Sequence, residues 1–246
     1  MAPPLLDVQD ISVFYGPVQA LRGVSLEVFE GEMVALLGAN GAGKTTTLRT
    51  ISGMLPPASG TVMLAGRRVD RLPSYDVVRT GVAHVPEGRE LFSGMTIEEN
   101  LQLGFASQPQ SAKEYARRRD QVMEFFPILR ERAKQAAGTM SGGEQQMLVV
   151  ARALMSSPRL LLVDELSLGL APKVVSQLFD ILRTVNEAGT AVVLVEQFVH
   201  MALENSHRAY VLRKGEVVAH GRSVDLRSDD RLIASYLGET ADAGAS

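Results

Sequence analysis

Short runs of apolar residues recur along the chain and predict strands buried inside a sheet. The runs lack the alternation that is expected where one face of a strand meets solvent. They occupy residues 33–37, 81–85, 160–163 and 191–195. Buried strands separated by helical patterns are typical of the α/β class.

Other segments alternate or have helical spacing. Residues 6–14 and 24–29 alternate enough to predict antiparallel strands beside the main sheet, and residues 61–65 with Val69 predict a further hairpin. Residues 172–188 carry apolar side chains at helical spacing, which predicts a helix packed on the sheet.

The segment 96–132 is helical by pattern, and Thr96 with Glu99 has the form of a capping box at its start. The basic stretch 111–120 favours a solvated helix face over a binding patch. A further helix begins after Ser141, where a serine and two glycines create a capped N-terminus that suits an anion. The residues alone leave open whether that helix start is anything more than a cap.

Composition narrows the functional class. The chain has 246 residues and a formal net charge of −3, which argues against binding nucleic acid by bulk charge. It contains no cysteine, so disulfides and thiolate metal sites are excluded. No apolar run approaches the roughly 20 residues that span a bilayer, and the N-terminus lacks the features of a signal peptide. We therefore expect a cytoplasmic protein that acts at a membrane only through other subunits.

A glycine-rich loop follows the first buried run and precedes a helical pattern. It matches the phosphate-binding motif G-x-x-x-x-G-K-[ST] with Gly38, Ala39, Asn40, Gly41, Ala42, Gly43, Lys44 and Thr45. Its glycines let backbone N–H groups approach phosphates. Lys44 is expected to reach the β- and γ-phosphates, Thr45 to ligate Mg²⁺ and Thr46 to add a phosphate contact.

Charged side chains follow the other three buried runs, and those after two of them suit a nucleotide site. Asp164 and Glu165 end one of them, and two carboxylates in such a place are costly unless they have a role. Asp164 is suited to hold Mg²⁺, and Glu165 to polarise a water for attack on the γ-phosphate. Glu87 lies in a loop after another run, at the sheet edge where ligands bind.

Tyr15 and the four histidines have less specific patterns. Tyr15 is placed equally well to stack on an adenine or to serve as an ordinary packing residue. The histidines show no metal-ligand spacing and favour structural or surface roles; they are His84, His200, His207 and His220.

With the glycine loop, the segment Ser-Gly-Gly-Glu-Gln at 141–145 and the Asp-Glu strand end in this order, the chain resembles the nucleotide-binding subunit of ABC transporters over residues 6–238. The resemblance implies a P-loop NTPase of the ABC type, with a mixed central sheet, an antiparallel β subdomain and an inserted α-helical subdomain. Its core and β subdomain would occupy 1–89 and 157–238, and its helical subdomain 90–156. Residues 239–246 would be a frayed tail.

The resemblance also implies roles for individual residues. Lys44, Glu165 and Gln197 would be catalytic, Gln197 replacing the usual switch histidine. Mg²⁺ would be held by Thr45, Asp164 and Glu87. ATP would be bound by the glycine loop, Thr46, Tyr15 and Glu87. The signature residues Ser141, Gly142, Gly143 and Glu144 would belong to the nucleotide site as well. Of these, Ser141 and Gly143 would contact the γ-phosphate held by a partner subunit.

Departures from the common pattern point to a subfamily. Glu87 replaces the usual Q-loop glutamine, Gln197 the histidine and Ala171 the D-loop aspartate, as in uptake systems for branched-chain amino acids. Related urea importers tend to keep glutamine at position 87, and they or another amino-acid or amide importer are the alternative. Leu166 replaces a usual proline, which would hold Glu165 extended.

The implied assembly has a second ABC ATPase subunit, like or unlike this one, two membrane permeases and an extracytoplasmic amino-acid-binding protein. It would sit on the inner face of the cell membrane. A soluble ATPase of iron–sulfur cluster assembly is disfavoured by the 86–89 loop, and a DNA-repair ATPase by the lack of room for a coiled coil. The Asp164–Glu165 pair argues against a module that binds ATP without hydrolysing it.

Overall fold

The fold is described from a computed structural model, which covers residues 2–106 and 111–228. The expected tail at 239–246 lies outside these residues. The strands are β1 (Leu6–Tyr15), β2 (Val18–Val28), β3 (Met33–Leu37), β4 (Ser59–Leu64), β5 (Arg67–Arg68), β6 (Val82–Val85), β7 (Leu160–Asp164), β8 (Ala191–Val195), β9 (Arg208–Arg213) and β10 (Glu216–Arg222). The α-helices are α1 (Lys44–Ile51), α2 (Ser74–Arg79), α3 (Ile97–Phe105), α4 (Ala112–Phe125), α5 (Pro127–Glu131), α6 (Gly142–Leu154), α7 (Pro172–Glu187), α8 (Val199–Glu204) and α9 (Ser223–Arg227).

Two sheets organise the chain. The central sheet has the order β10-β9-β3-β8-β7-β6, in which only β9 and β10 pair antiparallel. The smaller sheet, β2-β1-β4-β5, is antiparallel throughout. The expectation of an α/β fold with a mixed central sheet and a separate antiparallel sheet is confirmed.

The apolar runs are continuous because each strand of the central sheet serves two cores. In β3, Met33, Ala35 and Leu37 face a core shared with α3, α6, α7 and α8. Val34 and Leu36 face a second core built with α1 and the smaller sheet. Alternate side chains point to opposite faces of a strand, so both sets must be apolar.

Strand bounds agree with the apolar pattern in the central sheet and differ in the smaller one. β3 and β8 have the expected bounds, and β7 extends by one residue to Asp164. The second strand of the smaller sheet was expected at 24–29 but begins at Val18. A tight turn after Tyr15, with Gly16 at φ 56°, starts this hairpin, and the register shifts within β1 and β2 hide the strand's alternation.

The helices begin where the capping patterns predict. Thr96 and Glu99 form a reciprocal capping box at α3, and Ser141 and Glu144 form another at α6. On the basic helix α4, Arg117 pairs with Glu114 and Arg119 with Glu98, as on a solvated face.

Four parallel strands of the central sheet, β3, β6, β7 and β8, end at one edge. The glycine loop follows β3, the Glu87 loop follows β6, Glu165 follows β7, and Glu196 with Gln197 follows β8. The topology therefore brings all four segments together. No helix among residues 2–106 and 111–228 is both long enough and apolar enough to cross a membrane.

Helices α3 and α6 approach closely at Gly104. A Cβ at this position would lie 2.0 Å from the backbone oxygen of Arg152. We expect Gly104→Ala to push the helices apart and to lower the free energy of unfolding by about 1–3 kcal/mol. Urea denaturation measures this, with exposed Gln102→Ala in the same helix as the control; equal stability of the two variants would contradict the prediction.

Candidate active site

The glycine loop is held in one conformation by its neighbours. Gly38 and Gly43 have φ of 151° and 109°, which favour glycine. A Cβ on Gly38 would lie 2.4 Å from the Leu212 oxygen, and one on Gly43 2.6 Å from a methyl carbon of Leu21. Gly43 is also the N-cap of α1 and provides no side-chain cap, so the first N–H groups of the helix are free of a side-chain partner.

Lys44 folds back over its own loop. Its Nζ donates hydrogen bonds to the carbonyl oxygens of Gly38 at 2.8 Å and Ala39 at 3.3 Å. Burial lowers the pKa of Lys44 from its usual value, and the charges of Glu165 and the other nearby acids oppose that shift. The ammonium group is thus desolvated but surrounded by acids, and a phosphate can replace the two carbonyl acceptors.

An open cleft of about 410 Å³ brings most of the expected site residues together. It is lined by Tyr15, Ala20, Asn40, Gly41, Gly43, Lys44, Thr45, Thr46, Glu87, Glu165 and Gln197. Ala20 is the one member that the sequence patterns did not predict. Gly38, Ala39 and Ala42 shape the loop without lining the cleft, and the exposed Tyr15 ring belongs to the end of the β1–β2 hairpin.

Asp164 is buried at the end of β7, with 1% of its surface exposed. In the part of the chain that the structure describes, neither carboxyl oxygen has a hydrogen-bond partner. Burial raises its pKa from 3.8 to about 6, and although the Thr45 side chain lowers it, Glu165 and Glu87 raise it further. A buried carboxylate with two unused oxygens beside a threonine suits Mg²⁺, which prefers oxygen ligands and keeps several from water or substrate.

Glu165 stands in a left-handed backbone conformation at φ 49°, which is unfavourable for a glutamate. Its N–H donates to the Val195 oxygen at 2.9 Å, and its Oε2 accepts from Gln197 Nε2 at 3.0 Å. The residue is not extended, and leucine at position 166 does not impose the restraint of a proline. Leu166 itself is buried in the core.

The signature residues do not line the cleft. Ser141 caps α6, and its hydroxyl donates to Glu144 Oε2 at 2.9 Å. Glu144 also pairs with Arg132 at 3.1 Å. Gly142 packs against the Arg89 guanidinium and Gly143 against Val174. Within one chain the structure therefore keeps Ser141, Gly142, Gly143 and Glu144 apart from Lys44.

Two polar residues near the site were not singled out by the sequence patterns. Glu196 is 1% exposed, and it accepts hydrogen bonds from Ser167 N at 3.1 Å and Ser167 Oγ at 2.6 Å. The signal was a carboxylate directly after a buried strand, as at Asp164. Its partner, 29 residues earlier in the chain, is evident only from the sheet.

Comparison with known proteins agrees with this geometry. The family model described as ABC transporter matches residues 21–167. The high-affinity branched-chain amino acid transport ATP-binding protein BraG of Pseudomonas aeruginosa is 47% identical over 95% of this chain and 100% of its own length. The ADP conformation of MJ1267, an ATP-binding cassette of an ABC transporter, is 25% identical with a TM-score of 0.84, covering 97% of this chain and 100% of that one. A dimeric post-hydrolysis state of the cassette MJ0796 with ADP and Pi is 25% identical with a TM-score of 0.80, covering 89% and 98%.

The raised pKa of Asp164 predicts a pH-dependent cost to stability in the absence of nucleotide and metal. The cost is absent below about pH 3.8, grows as the unfolded-state carboxyl ionises while the folded-state carboxyl stays protonated, and is complete once the folded-state group ionises above about pH 6. A shift of about 2 pKa units corresponds to about 3 kcal/mol. The stability of Asp164→Asn relative to the unchanged chain should therefore rise by about that amount between pH 4 and pH 7.

Urea unfolding in EDTA at both pH values measures this difference. Asp225→Asn makes the same charge change on an exposed side chain and serves as the control. A relative stability of Asp164→Asn that stays constant with pH would contradict the assignment.

Proposed function

This chain belongs to the ABC transporter family, and on that premise we propose that it is the ATP-hydrolysing subunit of an importer of branched-chain amino acids. The observation that carries the proposal is the meeting of Lys44, Glu165 and Gln197 in one cleft, with buried Asp164 close enough to interact with Thr45 and Lys44. The substrate class rests on the similarity to BraG along nearly the whole chain and on Glu87, which favours this subfamily over urea importers.

The loop and its helix bind the phosphates of ATP. Backbone N–H groups of the loop and the positive end of α1 attract the anion, and Lys44 turns from its carbonyl acceptors to the β- and γ-phosphates. Thr46 adds a contact, and Tyr15 offers its exposed ring to the adenine. Thr45 and Asp164 would hold Mg²⁺, together with Glu87, which lines the same cleft; the bound ion would neutralise charge on the phosphates.

Glu165 acts as the base for hydrolysis. Its carboxylate lies in the cleft and accepts the proton of a water that attacks the γ-phosphate. Gln197 donates to one carboxylate oxygen and so orients the other toward the water. An amide does not titrate near neutrality as histidine does, so this position adds no protonation step to turnover.

The working unit has two ATPase subunits, as the dimeric state of MJ0796 supports. Because Ser141 and Gly143 lie outside their own cleft, they contact the γ-phosphate held by the partner, which is of the same or another kind. ATP then joins the two subunits and hydrolysis releases them. The Glu87 loop and the helical segment 90–156 transmit this movement to two membrane permeases, which an extracytoplasmic binding protein supplies. The chain therefore sits at the cytoplasmic face of the membrane.

Lys44→Ala tests the phosphate site and the transport role together. Loss of the Lys44 ammonium from the cleft should weaken nucleotide binding and abolish hydrolysis. In cells lacking the native subunit, the variant should fail to restore uptake of labelled leucine, isoleucine and valine. Exposed Lys173→Ala on α7 is the control. Uptake of urea instead of the three amino acids by the unchanged chain would overturn the substrate class.

Glu165→Gln tests the base. The amide keeps the shape of the side chain and accepts no proton, so ATP should still bind while turnover falls by about 100-fold or more. Gel filtration with ATP and Mg²⁺ should show an accumulated dimer. Turnover at the unchanged rate would mean that another group positions the water.

A further inference from the structure

The carboxylate of Glu196 is buried beside the active site but does not line the nucleotide cleft. Both of its oxygens accept hydrogen bonds from one residue, Ser167, at 3.1 Å from the backbone nitrogen and 2.6 Å from the hydroxyl. Ser167 is also buried. A buried carboxylate is costly, and a pair of apolar residues would fill the same space without that cost. The contact therefore calls for a role beyond packing.

The contact belongs to a connected series. Val195, Glu196 and Gln197 are consecutive, and they bond in turn to the segment 165–167. The Val195 oxygen accepts from Glu165 N, Glu196 holds Ser167, and Gln197 donates to the Glu165 carboxylate. Parallel pairing of β7 with β8, which sets Asp164 opposite Val195, creates this register.

The segment 165–167 includes a backbone conformation that needs support from surrounding contacts. Glu165 has φ 49°, which is unfavourable for a glutamate, and persists only when surrounding contacts determine it. No proline follows to restrict its backbone, since residue 166 is leucine. The peptide between Leu166 and Ser167 is held instead by the hydrogen bond from Ser167 N to Glu196, and the Ser167 hydroxyl donates to the same carboxylate.

We propose that Glu196 is a positioning residue for hydrolysis, which fixes the backbone of Glu165 through Ser167. The inference rests on the proposed role of Glu165 as the base. Because neither Glu196 nor Ser167 lines the cleft, their loss should change kcat and leave the KM for ATP largely as it was. Misplacement of a catalytic group by about 1 Å costs up to about 100-fold in rate.

The test compares variants of the assembled transporter in an ATP hydrolysis assay. Glu196→Ala and Ser167→Ala should each lower kcat by about 10- to 100-fold, with KM for ATP within about twofold. Glu196→Gln should retain most of the rate, because its amide oxygen accepts from Ser167 N and its NH₂ group donates to Ser167 Oγ. Glu204→Ala, on the exposed side of α8, is the matched control.

A double variant separates positioning from stability. Glu196→Met with Ser167→Ala replaces both partners by apolar groups, a change that can be nearly neutral for stability. Its melting temperature should stay near that of the unchanged chain while its kcat remains low. This variant also supplies the test if Glu196→Ala fails to fold. Recovery of kcat together with stability in the double variant would show a purely structural contact and overturn the inference.

The base assignment and the positioning role can fail separately. An inactive Glu165→Gln with a fully active Glu196→Ala would overturn the positioning role alone. A fully active Glu165→Gln would overturn the base assignment, and the positioning role with it. In the Glu165→Gln background, Glu196→Ala should cause no further loss of rate, because both changes remove the same step.

Discussion

The site depends on the burial of unlike charges at one edge of a parallel sheet. Burial raises the pKa of Asp164 and lowers that of Lys44, so desolvation moves each group toward its neutral form. Their mutual attraction opposes both shifts. Neither charge is fully satisfied among residues 2–106 and 111–228, since Asp164 has no hydrogen-bond partner there and the hydrogen bonds of Lys44 go to two loop carbonyls. In the proposed function, MgATP would supply these partners, a cation for the acid and phosphates for the amine.

The backbone restricts where those partners can sit. The glycine loop is pressed against β9 at Gly38 and against β2 at Gly43, so it is supported from both sheets. A loop held in this way presents its N–H groups before a ligand arrives, and binding loses less conformational entropy. The smaller sheet therefore supports the glycine loop through β2, in addition to carrying Tyr15 at the end of β1.

Local patterns predicted much of this, and long-range register accounts for the rest. The buried runs and the capping boxes at Thr96 and Ser141 identified most strands and two helix starts, because those signals come from neighbouring residues. The predicted start of β2 at residue 24 was wrong by six residues, because the strand begins at Val18 and shifts in its pairing with β1 hide the alternation. The Glu196–Ser167 contact, the orphaned oxygens of Asp164 and its raised pKa depend on which strands are neighbours and how deeply they are buried. No local pattern carries that information.

The position of the signature helix α6 supports the proposal that two ATPase subunits act together. A Cβ on Gly142 would meet the flexible Arg89 guanidinium at 2.9 Å and one on Gly143 would meet Val174 at 3.0 Å, and neither glycine lines the cleft of its own subunit. A capped helix N-terminus with a nearby arginine favours an anion. Since its own subunit's Lys44 holds the phosphates elsewhere, the anion that we propose for this helix comes from a second molecule. Arg89 lies two residues after Glu87 in the same loop, so on this proposal the contact at Gly142 would link the loop that meets nucleotide in one site to the helix that meets it in the other.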